Sequence, residues 1–279
     1  MRWHEGLAVL MLLFASARVA SGGGFIIGIG AEGDSADSRA YSLSLDAGLG
    51  ERTWITGTVA SSETDRDLFD LRTRFLHLGF DHFLDPVGFR IGAGTWGKDG
   101  FLESDDLRGS IYMAGGAGSL SLDLERRELE LTIDSALLEQ PRVVPFTANG
   151  IGLSARLALG DRTSVHVGGI SYEYSRDIAL QPRIDLLRSF TLSRLSLMNS
   201  LVDYRVSGGI EWELGDRRVD LLFARWQTAI DQGRVDSMGI GFLTPVGSRM
   251  DIELRLAQDR SEEFGSATVL SVFVYLFSH

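Results

Sequence analysis

The residues able to do chemistry in this 279-residue chain are mostly carboxylates and arginines set at every second position. Asp46 follows Ser42 and Ser44, Asp123 follows Ser119 and Ser121, and Glu128 precedes Glu130. Further on, Ser154 precedes Arg156, Asp203 precedes Arg205, Glu211 precedes Glu213, and Asp251, Glu253 and Arg255 form one series, while Arg90 lies in a segment of its own. A spacing of two puts side chains on one face of an extended strand, so each series reads as a ladder of charge. Such faces can filter ions electrostatically, or pair with one another and neutralise. The choice depends on strand register, and both readings stay open.

Catalytic groups are scarce by comparison. His77 and Asp81 share a strand face but stand ~13 Å apart by strand rise, and no serine accompanies them. His82 points the other way, and His166 and His279 have no evident partner in sequence. The segment KDGFLESDD gathers Asp99, Glu103, Asp105 and Asp106, an oxygen-rich loop able to attract calcium but without the EF-hand spacing. A solvated loop is the plainer reading, and SETDRDLFD at 62–70 invites the same one. No zinc pattern, phosphate loop or dinucleotide fingerprint is present, so no cofactor is expected. The net charge of −11 argues against a nucleic-acid partner. The absence of cysteine excludes a disulfide scaffold.

The elements that carry the ladders read as strands. In MDIELRLA, Met250, Ile252, Leu254 and Leu256 share one face, and Asp251, Glu253 and Arg255 the other. A soluble sheet on a core satisfies this pattern, and so does a membrane barrel turned inside out. Glycine is abundant, proline scarce, and no helical apolar period dominates, which reads as all-β. Short connections near Gly48, Asp85, Glu125, Gly160, Gly215 and Pro245 alternate with longer polar ones at 32–38, 62–70, 97–112, 136–147, 175–200, 230–234 and 259–265. Between them lie about fourteen strands, an even number that closes an antiparallel up-and-down barrel with both termini at one end. Twelve or sixteen stay open, because 107–125 reads as one strand or as a hairpin around AGGAG, and 183–196 as strand or loop helix. The outward set then comprises Tyr41, Leu43 and Leu45; Leu120, Leu122 and Leu124; Leu129, Leu131 and Ile133; Leu153, Ala155 and Leu157; and Tyr204, Val206, Ile210 and Trp212. Aromatics near strand ends, including Trp54, Phe83, Phe89, Trp96, Trp212 and Trp226, suit interfacial girdles.

Both ends of the chain bear on where it works. Residues 1–20 carry a charged start, the apolar run LAVLMLLF and small residues, the pattern of a cleaved secretory signal, with cleavage after Ala17 or Ala20. Residues 21–279 are then one barrel domain. The last strand, ATVLSVFVYLF, sets Val269, Ser271, Phe273, Tyr275 and Phe277 on one face and ends in an aromatic residue. It resembles the closing strand of bacterial outer-membrane β-barrel proteins, in which alternate apolar positions and a final aromatic are read by the barrel assembly machinery. The resemblance implies a transmembrane antiparallel β-barrel in contact with outer-membrane lipid and lipopolysaccharide, with Phe273, Tyr275 and Phe277 as the assembly signal. A porin-like channel for small hydrophilic or ionic solutes is the function that goes with it. A non-conducting barrel serving envelope assembly or polysaccharide export is the alternative, and an outer-membrane hydrolase the third. The motifs by which barrel phospholipases, lipid A deacylases and surface proteases are recognised are not found, so a non-enzyme is expected.

Overall fold

In the computed structural model, residues 24–66, 69–98, 101–133, 141–176, 201–229, 232–261 and 265–278 are described. The signal segment, Asp99, His279 and 183–196 lie outside them. Fourteen strands follow in chain order: β1 (Phe25–Asp34), β2 (Ser38–Gly48), β3 (Thr53–Arg66), β4 (Phe69–Phe83), β5 (Val87–Lys98), β6 (Leu102–Gly115), β7 (Gly118–Ile133), β8 (Arg142–Ala158), β9 (Thr163–Tyr174), β10 (Val202–Leu214), β11 (Arg217–Thr228), β12 (Arg234–Pro245), β13 (Met250–Ser261) and β14 (Gly265–Ser278). Each pairs antiparallel with its sequence neighbours, and β1 pairs with β14, from Phe25 against Ser278 to Asp34 against Val269, closing the barrel. An open edge in hydrocarbon would leave unpaired backbone groups at several kcal/mol each; this seam removes it.

Both ends of the described chain and six short turns gather at one rim, called here the terminal rim; the opposite ends of the strands make the loop rim. The outer wall carries an apolar band. Along β8 it includes Ile151, Leu153 and Leu157, and along β13 Leu254 and Leu256, all about half exposed. The seven residues from Ile151 to Leu157, or from Met250 to Leu256, span roughly 20 Å of strand and make up about two thirds of the roughly 9–11 residues with which a tilted strand crosses a bilayer. Toward the loop rim the same outer face turns charged, with the pairs Arg72–Glu63 at 2.6 Å, Arg126–Glu128 at 3.4 Å and Arg225–Asp236 at 2.5 Å.

The strand count agrees with the sequence reading, but two strands are placed differently. Residues 97–112 do not form a long loop: most of them are β6, which turns at 116–117 into β7, the hairpin around AGGAG. The expected turn at Glu125 does not exist, because β7 is one uninterrupted strand of 16 residues. Its phase therefore never resets. Leu120, Leu122 and Leu124 face out, and so do Glu128 and Glu130, whereas Leu129 and Leu131 face in and are 1% and 7% exposed. The assignment of Glu128 and Glu130 to the interior is corrected: they stand on the outer wall beyond the apolar band.

The aromatic girdle is corrected in part: Phe89 stands exposed on the outer wall beside Ile91, but others of the set face in. Trp96 and Trp226 are buried inside the barrel, and Trp54 and Phe83 share the inward face with Asp81. Phe273 and Tyr275 also face inward, their rings stacked 6.4 Å apart across β1, where Gly28 and Gly30 leave them room. A Cβ at Gly30 would sit 2.6 Å from the Phe273 ring, so these two strand glycines are slots for the aromatics of β14.

The phase of β7 and β8 sets a test. Leu153→Arg, on the apolar band, should cost about 2–4 kcal/mol in denaturant unfolding from lipid vesicles. Glu128→Ala, beyond the band, should stay within about 0.5 kcal/mol of the parent. Comparable losses at both positions would contradict the assigned faces.

Candidate functional site: the charged lumen

The inward faces of fourteen strands enclose a lumen whose diameter is set by the strand number. Its walls divide into three levels. Near the terminal rim, Asp46 on β2, Glu213 on β10 and Asp251 on β13 point inward, and their carboxylates make no ion pair or side-chain hydrogen bond among the described residues.

Above them arginines and carboxylates pair along the wall. Arg90 Nε donates to Asp81 at 2.6 Å, Tyr112 Oη donates to the other oxygen of Asp81 at 2.6 Å, and the guanidinium lies 4.5 Å from the Tyr112 ring centre. Arg156 donates to Glu211 at 2.6 Å, with His166 at 3.7 Å and Arg218 at 3.9 Å from the same carboxylate. Arg255 pairs with Glu253, which also accepts from Tyr275 at 2.8 Å. Asp220 is buried beside Gly241 with one carboxylate oxygen unpartnered.

The third level is a tight cluster on β6, β7 and β9. Glu125 accepts from Arg127 at 2.8 Å, from Arg108 at 3.2 Å and from Tyr172 Oη at 2.7 Å. Arg127 donates to Tyr172 at 2.7 Å, and Arg108 to Asp106 at 3.0 Å; Asp106 also accepts from Ser104 at 2.6 Å. Arg127 is 1% exposed, and burying a guanidinium costs several kcal/mol, offset here by its carboxylate and phenol partners. Toward the loop rim the interior turns apolar: Trp96, Leu102, Leu129, Leu131, Phe146, Ala148 and Leu201 pack into one buried cluster, and Val202, Trp226 and Val235 into another.

Of the residues singled out from sequence, Asp46, Arg90, Asp123, Arg156, Arg205, Glu211, Glu213, Asp251, Glu253 and Arg255 face the lumen. Glu128 and Glu130 do not. Asp203 sits in a bulge at the start of β10 near the loop rim, where it accepts from Gln232 at 2.6 Å, so it does not line the lumen. The oxygen-rich segment is no loop cluster either: Glu103 and Asp105 face out on β6, while Asp106 faces in toward Arg108. The sequence reading missed Asp81, Arg108, Arg127 and Arg218. The signal was available for Arg108: Leu107, Ile111 and Met113 alternate outward, which places the even positions of β6 inward.

Among the described residues the histidines do not assemble into a hydrolytic group. His77 stacks on Phe75, Asp81 is taken by Arg90 and Tyr112, and His82 faces out with Thr53 at 2.8 Å. Among the described residues no serine hydroxyl bonds to a histidine.

Solved structures similar to this fold include outer-membrane proteins. The CymD monoaromatic hydrocarbon channel is similar with a TM-score of 0.57 at 12% identity, covering 96% of this chain and 92% of that one. A loop L8 deletion mutant of OmpT, an outer membrane protein of Vibrio cholerae, is similar at 0.51 and 8% identity, covering 91% and 99%. The KdgM porin in complex with disordered oligogalacturonate gives 0.48 and 9%, covering 91% and 99%. No protein-family model and no curated protein matches the sequence. The fold is that of the bacterial outer-membrane porins: a closed, fourteen-strand, antiparallel barrel.

The cluster around Glu125 yields a stability test. Arg127→Leu strips a buried carboxylate and phenol of their partner and should cost about 3–5 kcal/mol in unfolding. Arg127→Lys should recover only part of the loss, because an ammonium lacks the fork that reaches Glu125 and Tyr172 together. An unchanged unfolding midpoint in Arg127→Leu would refute the role given to this cluster.

Proposed function

We propose that the chain is a porin-like channel of a bacterial outer membrane, passing small hydrophilic or ionic solutes by diffusion. The observation that carries this reading is a wet lumen inside an apolar outer band. The side chains of Arg90 and Arg156 point into the barrel yet are 55% and 50% exposed. A lumen sealed along its length by its own side chains would bury both.

With the termini and short turns facing the periplasm, Asp46, Glu213 and Asp251 ring the periplasmic mouth. Uncompensated carboxylates at a mouth favour cations. Glu211 and Glu253 contribute little to that preference, because arginines already neutralise them. The channel works without cofactor, against outer-membrane lipid and lipopolysaccharide on its apolar band. If the barrel assembly machinery reads Phe273, Tyr275 and Phe277, it does so before closure, since Phe273 and Tyr275 end inside the barrel.

A second reading has one observation in its favour. The buried apolar clusters under the loop rim, around Leu102, Leu129, Phe146 and Trp226, favour a barrel closed at that end. Such a barrel would conduct nothing and serve as a structural or partner-binding component, for example in envelope assembly or polysaccharide export.

Planar-bilayer recording separates the two. The refolded protein should give steady single-channel conductance with a cation-selective reversal potential in a salt gradient. The combined Asp46→Asn, Glu213→Gln and Asp251→Asn variant should bring the permeability ratio several-fold closer to unity. A natively folded barrel that stays silent would overturn the channel reading in favour of the partner-binding one.

A further inference from the structure

The mid-lumen wall between β6 and β10 holds a recess of about 290 Å³, lined among others by Arg108, Asp123, Ser154, Tyr172, Arg205 and Ser207. Most of its charge is already matched: Arg108 holds Asp106 and Glu125, and Tyr172 bonds Glu125 and Arg127. Two groups are left. Arg205 makes no hydrogen bond or close ion pair among the described residues; Glu125, in the same recess and already held by Arg108 and Arg127, acts on it only at longer range. Asp123 accepts only from the hydroxyls of Ser121 at 2.8 Å and Ser154 at 3.4 Å and has no cation.

Topology keeps these opposite charges apart. Asp123 is on β7 and Arg205 on β10, with β8 and β9 between them. Three strand spacings of about 4.8 Å put the two strands ~14 Å apart along the wall, more than the two side chains span toward each other. The recess therefore presents one cation and one anion without a direct ionic partner facing a shared space, with Gly152 and Ile170 on the line between them and serine hydroxyls and a phenol flanking it. A desolvated charge without a partner is costly, and a ligand that supplies both partners relieves two such costs at once.

We infer that this recess is a subsite for small zwitterionic solutes, in which a carboxylate pairs with Arg205 and an ammonium, separated from it by a short spacer, pairs with Asp123. The inference deepens the channel reading by naming a solute class, and it rests on that reading for its physiological sense. Binding itself does not require conduction. A solute with only one charge satisfies one wall and leaves the other exposed.

The test is saturation-transfer-difference NMR on the refolded, full-length barrel in detergent micelles, with 4-aminobutyrate as probe and butyrate and butylamine as single-charge controls. The expected result is binding of 4-aminobutyrate, weakened at least ten-fold by Arg205→Gln and by Asp123→Asn and partly restored by Arg205→Lys. Heat-modifiable gel migration verifies that each variant is folded, and Ser154→Ala serves as a milder second variant if Asp123→Asn does not fold. Equal binding of either control, no binding of 4-aminobutyrate, or binding indifferent to the substitutions would overturn the subsite. Bilayer recording on the same preparation separates the two ideas: binding by a silent barrel retires the channel and keeps the subsite, whereas conductance without binding retires the subsite alone.

Discussion

The pairing of β1 with β14 is the constraint on which everything else depends. Ten residues of each strand join in register, from Phe25 with Ser278 to Asp34 with Val269, so the sheet has no edge. Closure fixes an inside and an outside, and the two-residue period of each strand then sorts every side chain between them. Leu270, with its exposed side chain, goes to the outer wall; Ser271, one residue later, goes inside, where its hydroxyl donates to Glu32 at 2.9 Å. The chemistry of the lumen is a consequence of this sorting.

Inside, the dominant theme is neutralisation along the wall. Arginines and carboxylates on the same strand or on strands one or two places apart pair at 2.6 to 3.2 Å, as in Arg90–Asp81, Arg108–Glu125, Arg127–Glu125 and Arg156–Glu211, and tyrosines complete the sets. These pairs hug the barrel wall, so they brace it without having to fill its interior. What is left unmatched is informative for that reason: carboxylates at the terminal mouth, and Arg205 with Asp123 at mid-height. The unpaired charge on the lumen wall is much smaller than the charge counted in the sequence.

Much of this was legible in the sequence where a strand stays in one environment. MDIELRLA was read with both faces correct, as were the ladders of Ser42 to Asp46 and Glu211 to Glu213. The reading failed where a strand leaves the apolar band. On β7 the outer face runs from Leu124 to Arg126 and Glu128, while the inner face runs from Asp123 and Glu125 to Leu129 and Leu131. The chemistry of both faces inverts at one height with no break in the backbone, and a rule that assigns charge to the interior mistakes the inversion for a turn. The aromatics misled for a related reason: Trp96 and Trp226 lie near strand ends but pack into apolar clusters inside the loop rim instead of girdling the outside. Pairings such as Arg127 with Tyr172 join strands 45 residues apart and depend on register, which no local pattern encodes.

The central claim is that a closed wall separates a wet lumen from an apolar exterior, and it can be tested residue by residue because the chain has no cysteine of its own. Single cysteines at Ser207, inward and exposed, and at the adjacent Val206, outward on the apolar band, differ only in the face they occupy. In barrels reconstituted into vesicles, Ser207→Cys should react readily with a charged, water-borne thiol reagent, while Val206→Cys should react only with an apolar reagent dissolved in the lipid. The opposite pattern, or equal reactivity of both with the charged reagent, would contradict the account.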